Sequence, residues 1–205
     1  GKIMDNPLVE HPQLIAPLDN LSLSDIRKNR KEYKTVCQNN KKELLYYFDG
    51  NENYPIYQLD GYSTKIIYCL NHVEHIVEYY MEYEIQDADF IDTSWMTQVL
   101  VWRVGSEEFA GLTSKLIFNT LLPHYGTIVT DSQQTQRGKD LWDKLIRHAF
   151  NRSLNVYLMD FENREVIQLE KLEDFQDICK QFKPWRDSNF GKSYRFAISE
   201  FDFTW

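Results

Sequence analysis

Apolar positions follow two different periods along this chain. Val77, Tyr79, Met81, Tyr83 and Ile85 alternate with Glu78, Tyr80, Glu82 and Glu84, which predicts a strand with one core face and one wet face. Its hairpin partner is the apolar stretch 65–70, joined through Asn71-His72. An earlier hairpin is predicted from 44–48 and 54–59, which flank the turn formers Asp49-Gly50-Asn51-Glu52-Asn53. Residues 96–102 predict a central strand ending at Arg103. The period then lengthens: Leu112, Leu116, Ile117, Phe118, Leu121 and Leu122 predict a helix stopped by Pro123. Upstream, Pro7, Pro12 and Pro17 leave no room for a regular element, so 1–21 is expected as an extended arm. Ser22-Leu23-Ser24-Asp25 resembles a capping start for a basic helix to about residue 36, with a narrow stripe of Leu23, Ile26, Tyr33 and Val36.

The stretch from 126 to 160 reads as a complete crossover unit. Thr127, Ile128, Val129 and Thr130 are β-branched and predict a buried strand. It runs into Asp131-Ser132-Gln133-Gln134-Thr135, where every side chain is polar. Thr135 can cap the helix that follows, whose stripe is Leu141, Trp142, Leu145, Ile146, Ala149 and Phe150. A second buried strand is predicted over 154–160. Open α/β sheets take ligands outside the carboxyl ends of such strands, where the loop 131–137 falls. The same loop is equally explained as a polar helix cap. Beyond it, 166–169 predicts a short strand, and Leu172, Phe175, Ile178, Cys179 and Phe182 mark a helix ended by Pro184. Residues 194–203 alternate and predict a last strand, with Phe196, Ile198, Phe201 and Phe203 inward. The order predicts an α+β fold, a mixed sheet flanked by helices, in a single domain over 1–205.

Composition adjusts this picture in three places. With 42% hydrophobic and 15% aromatic residues the chain of 205 can build a sizeable core, and no apolar run approaches the ~20 residues of a membrane span. No signal-peptide pattern marks the start, so a soluble, cytoplasmic protein is expected. Cys37, Cys69 and Cys179 are widely spaced, which disfavours a disulfide framework or a metal site and predicts buried small hydrophobes. A net charge of −8 argues against a broad nucleic-acid surface, but the charge is uneven. Arg27, Lys28, Arg30, Lys31, Lys34, Lys41 and Lys42 are opposed only by Glu32, whereas His72 to Asp92 holds seven carboxylates and no Lys or Arg. These are two solvated faces, or a basic patch for a phosphate-rich ligand and an acidic wall for a cationic substrate. His72 and His75, at the hairpin turn, are expected in solvent. No G-x-S-x-G elbow, Walker lysine motif or dinucleotide fingerprint is present.

The element order over roughly 22–203 resembles the GCN5-related N-acetyltransferase (GNAT) family. In that family a helix and an antiparallel meander precede a strand, a cofactor loop and a helix. The loop is typically Gln or Arg, two residues, Gly, one residue, then Gly or Ala; here the run is Glu108-Phe109-Ala110-Gly111-Leu112-Thr113. Glu108 and Thr113 depart from that pattern. Trp102-Arg103, Gly111-Leu112 and Thr130 to Thr135, with Gly138 and Trp142, are also similar to a divergent group of acetyltransferase-like proteins of bacteriophages.

The resemblance implies acetyl-CoA, or another acyl-CoA, with its pyrophosphate on backbone N–H groups at Gly111, Leu112 and Thr113. Arg103, Lys115, Arg137, Gly138 and Lys139 would supply further phosphate contacts. A carboxylate such as Glu108 beside a pyrophosphate needs an offsetting cation. Asp131 would accept the amine proton or hold the amine; Thr130, Ser132, Gln134 and Thr135 would orient the acceptor; Tyr157 would donate a proton. Independently, the strand–helix–strand order and the short connections predict that strands 96–102 and 127–130 are adjacent, parallel and splayed at their ends. The expected partner is an amine on a small molecule or protein, with no nucleic acid or membrane. The rival expectation is a catalytically degenerate member that inhibits a host protein through its acidic face.

Overall fold

Asp25 starts the first helix by accepting hydrogen bonds from the N–H groups of Arg27 (3.0 Å) and Lys28 (3.3 Å) at its Oδ1. In the computed structural model, residues 25–87, 95–130, 136–160, 162–182 and 194–202 are described. The arm at 1–21, the polar loop at 131–135, Pro184 and Phe203 lie outside them. The elements are α1 (Ile26–Gln38), β1 (Glu43–Tyr47), β2 (Pro55–Asp60), β3 (Lys65–Asn71), β4 (Ile76–Asp87) and β5 (Trp95–Val104), then α2 (Leu112–Leu116), a π turn (Ile117–Leu121), α3 (Leu122–Tyr125) and β6 (Thr127–Val129). They continue as α4 (Gln136–Asn151), β7 (Asn155–Asp160), β8 (Glu165–Leu169), α5 (Leu172–Phe182) and β9 (Tyr194–Ser199).

Hydrogen-bonded neighbours give the sheet order β1-β2-β3-β4-β5-β6-β9-β7-β8. The mixed α+β class is therefore as expected, with β5 and β6 parallel and the ladders β1–β2, β2–β3, β3–β4, β6–β9, β7–β8 and β7–β9 antiparallel. The chain separates into two compact units, and the division passes through β4 and β5. Described residues up to 84 together with 100–113 form the first unit; 85–87, 95–99 and those from 114 onward form the second. Among the described residues no helix is long and apolar enough to cross a membrane.

In the first unit a β-bulge overturns the expected single core face of β4. Cys69 pairs with Tyr79 but Leu70 pairs with Val77, so one step along β3 is matched by two along β4. Val77 is thereby turned to the face opposite Tyr79, Met81 and Tyr83. There it joins Val36, Leu59 and Leu70 in a cluster against which Tyr33, Cys37, Tyr57 and Tyr68 pack. The face expected to be wet is thus covered in part by α1. Tyr80 donates to Glu82 Oε1 (2.9 Å), Thr64 donates to Glu82 Oε2 (2.6 Å), and the buried Glu78 accepts from Asn71 Nδ2 (2.8 Å). Glu78 and Glu82 of the acidic wall are thus committed to internal hydrogen bonds. On α1, Ile26 is 53% exposed, and the inward position is taken by Asn29 instead.

In the second unit the helical run continues through Pro123. A π turn has already interrupted the i→i−4 ladder, so Pro123 falls in the first turn of α3, where its missing N–H leaves no bond unmade. The stop is Gly126, with φ 88° and an N–H donating to Leu122 O (2.7 Å). A Cβ there would lie 2.1 Å from the Phe201 ring. Phe201 is nonetheless 48% exposed, not inward as its alternation implies. The α4 stripe is buried at Trp142, Leu145, Ile146 and Ala149. Of the cysteines only Cys69 is fully buried, and burial pushes its thiol up; Cys37 and Cys179 are half-buried.

Candidate functional site

The loop after β5 is built by close backbone approach and one aromatic anchor. Gly105 N–H donates to Glu78 O at 2.6 Å, and a Cβ on Gly105 would meet that oxygen at 3.0 Å and Glu78 Oε1 at 3.1 Å. Only glycine fits without displacement. A 3-10 turn, Glu107–Phe109, then buries Phe109 against Phe48 (centroids 4.5 Å) and Tyr54 (5.6 Å). This leaves Glu107, Glu108, Ala110 and Gly111 exposed ahead of the first turn of α2. A Cβ on Gly111 would touch nothing within 4 Å, so no packing inside the chain requires glycine there.

The remaining expected cofactor residues of this loop are buried. Leu112 is a core residue at 1% exposure, and Thr113 Oγ1 shares a 2.6 Å hydrogen bond with the buried Tyr79 hydroxyl. Arg103 is also 1% exposed, its Nη1 donating to Trp102 O at 2.6 Å. An anion at this turn would meet backbone N–H groups, which the first helical turn leaves without intrahelical acceptors, before it met any of these side chains.

In the second unit the parallel β5–β6 pairing covers Thr97↔Ile128 and Gln98↔Val129. Thr97 Oγ1 adds a bond to Thr127 O at 3.2 Å. β5 then continues to Val104, six residues past its last β6 partner. Thr130 ends β6 by closing both main-chain groups of Phe196: its N–H donates to Phe196 O (2.9 Å) and its Oγ1 accepts from Phe196 N–H (3.1 Å). That hydroxyl serves the sheet. Tyr157 is 3% exposed and donates to Phe201 O (3.2 Å) and to Asp202 Oδ1 (3.4 Å), so proton donation to a leaving group would first require these bonds to break. Gly138 is buried in the first turns of α4, and Lys139 pairs with Asp143 at 3.3 Å. Asp131, Ser132, Gln134 and Thr135, and the side chain of Arg137, lie outside the described residues.

One polar group in this unit was not singled out from the sequence. Gln98, 4% exposed, accepts at Oε1 from Gln86 Nε2 and from Arg195 Nη1 (3.3 Å). Arg195 belongs to β9, which flanks β6, so a guanidinium reaches the buried amide of β5 next to the short β6 pairing. Arg195 sits in an alternating strand, and no local spacing links it to Gln98.

In the first unit His72 is less exposed than a turn histidine should be. Its Nδ1 faces the Tyr33 hydroxyl at 2.6 Å. Burial, with a contribution from His75, pushes the imidazole below its ordinary range, while burial pushes Tyr33 up to about 12. Neutral His72 accepting from a protonated Tyr33 satisfies both.

No family model, no curated protein and no solved structure matches this chain.

Proposed function

We propose that the chain is an acyl-CoA-dependent N-acyltransferase-like protein on a GNAT-type sheet. The observation that carries this reading is the parallel β5–β6 pair, limited to two residue pairs, with β9 lying antiparallel between β6 and β7. β6 ends at Val129, the partner of Gln98, and the carboxyl end of such a strand is the place where open sheets take ligands. The pyrophosphate is assigned to the backbone N–H groups of Gly111, Leu112 and Thr113. The acceptor amine is assigned to Asp131 and the polar run Ser132, Gln134 and Thr135. Bound acyl-CoA would supply the thioester for direct transfer to the amine, releasing CoA thiolate, and Asp131 would take up the amine proton. The test is release of free CoA thiol from acetyl-CoA in the presence of polyamines or lysine peptides. The wild type should release thiol and Asp131→Asn should be slower by roughly 10²-fold. No amine-dependent release from any acceptor would reject the reading.

A second reading, a binding protein without turnover, has its own support. Thr113 replaces the small residue of the family loop and is tied to Tyr79, and Glu108 stands exposed beside the same turn.

A further inference from the structure

A cleft of about 790 Å³ opens in the first unit between α1 and the β3–β4 turn. Its α1 wall carries Arg27, Arg30, Lys31 and Lys34. The spacing of 27, 30/31 and 34 places these cations along one helix face, over about 10 Å of axis. All four are exposed, and none has an ion-pair partner among the described residues. Like charges in a row repel one another, and an anion spanning the row relieves that repulsion.

Both walls supply rings, Tyr33 from α1 and His75 from the β3–β4 turn. Tyr33 stacks on His75 with centroids 5.4 Å apart and planes inclined by 25°, and meets His72 edge-on at 5.7 Å and 83°. The Tyr33 hydroxyl is held by His72 Nδ1, which fixes the inner ring. His75 adopts φ 58°, a left-handed conformation that a non-glycine residue rarely takes, and it is exposed. The turn therefore keeps a second ring stacked at the mouth of a cationic cleft, where a planar base can extend the stack.

We propose that this cleft binds a compact phosphorylated nucleotide, with its phosphates on Arg27, Arg30, Lys31 and Lys34 and its base against His75. Arginine forks and lysine ammonium groups match phosphate oxygens, and the volume falls in the usual range for small-ligand sites. The chain's net charge of −8, with Glu74 at the rim, opposes a long polyanion that would run beyond the cleft. The site is separate from the turn at 110–113.

The experiment is calorimetric titration of the full chain with ATP, inorganic tripolyphosphate and a single-stranded oligonucleotide. ATP should bind saturably and more tightly than either of the others. Arg30→Glu/Lys34→Glu should weaken ATP at least tenfold, with an unchanged thermal melt. His75→Asn tolerates the left-handed backbone; it should weaken ATP several-fold and leave tripolyphosphate unaffected. No saturable ATP binding, or binding indifferent to the charge reversal, would overturn the site. Equal affinity for ATP and tripolyphosphate would overturn the nucleotide, and tighter oligonucleotide binding would overturn the compact ligand.

Discussion

Asn29 on α1 closes both main-chain groups of Val77 on β4: its Nδ2 donates to Val77 O at 3.0 Å, and its Oδ1 accepts from Val77 N–H at 2.6 Å. The side chain acts as a short extra strand beside the bulge and ties the basic helix to the hairpin. Each buried group left unpaired costs ~1–3 kcal/mol, so Asn29→Ala should lower stability by roughly 2–4 kcal/mol. Urea denaturation measures this, and a loss under about 1 kcal/mol would show that water or a neighbour takes over both bonds.

Gly105 and Gly111 should respond oppositely to alanine. At Gly105 the new Cβ meets Glu78 O at 3.0 Å, and overpacking of this kind costs ~1–3 kcal/mol. At Gly111 it meets nothing within 4 Å, and an exposed change of that kind stays within about 0.5 kcal/mol. Thermal melts of the two single variants decide this. Comparable losses at both positions would contradict the loop geometry.

Acid should weaken the fold through His72. Its folded-state pKa lies below the ordinary value near 6.5, so the unfolded chain takes up a proton first as pH falls through that value. The wild type should therefore lose stability as pH falls below the ordinary value of about 6.5, with no such loss well above it. His72→Gln should show a flatter dependence in this window when melts are compared at fixed ionic strength. An identical slope in both proteins would remove His72 as the cause.

Most elements follow from periodicity, because strand alternation and a helical stripe are local properties. The hairpin around 49–53 and the α4 stripe are of this kind, whereas the parallel pairing of 96–102 with 127–130 follows from the strand–helix–strand order. What escaped depends on contacts between distant residues. Alternation from Val77 to Tyr83 looks unbroken in the chain, yet the bulge places Val77 and Tyr79 on opposite faces, and only pairing with β3 shows it. Pro123 normally stops a helix; the π turn that admits it has no local signal here. Arg195 and Gln98 are separated by 97 positions, and β9 is brought beside β6 only by the sheet order. Arg103, read as a phosphate ligand, is inside the first unit, so Arg103→Glu would bury a carboxylate and report on folding rather than on binding.

The most direct test of the acyltransferase reading is calorimetric titration of acetyl-CoA into the wild type, Gly111→Asp and Arg30→Glu/Lys34→Glu. Gly111→Asp places a carboxylate at the exposed turn without crowding any neighbour. Saturable binding by the wild type that persists in Arg30→Glu/Lys34→Glu and is weakened at least tenfold in Gly111→Asp is the result expected for a pyrophosphate held at 111–113. Absence of binding, or loss confined to the α1 variant, would contradict it.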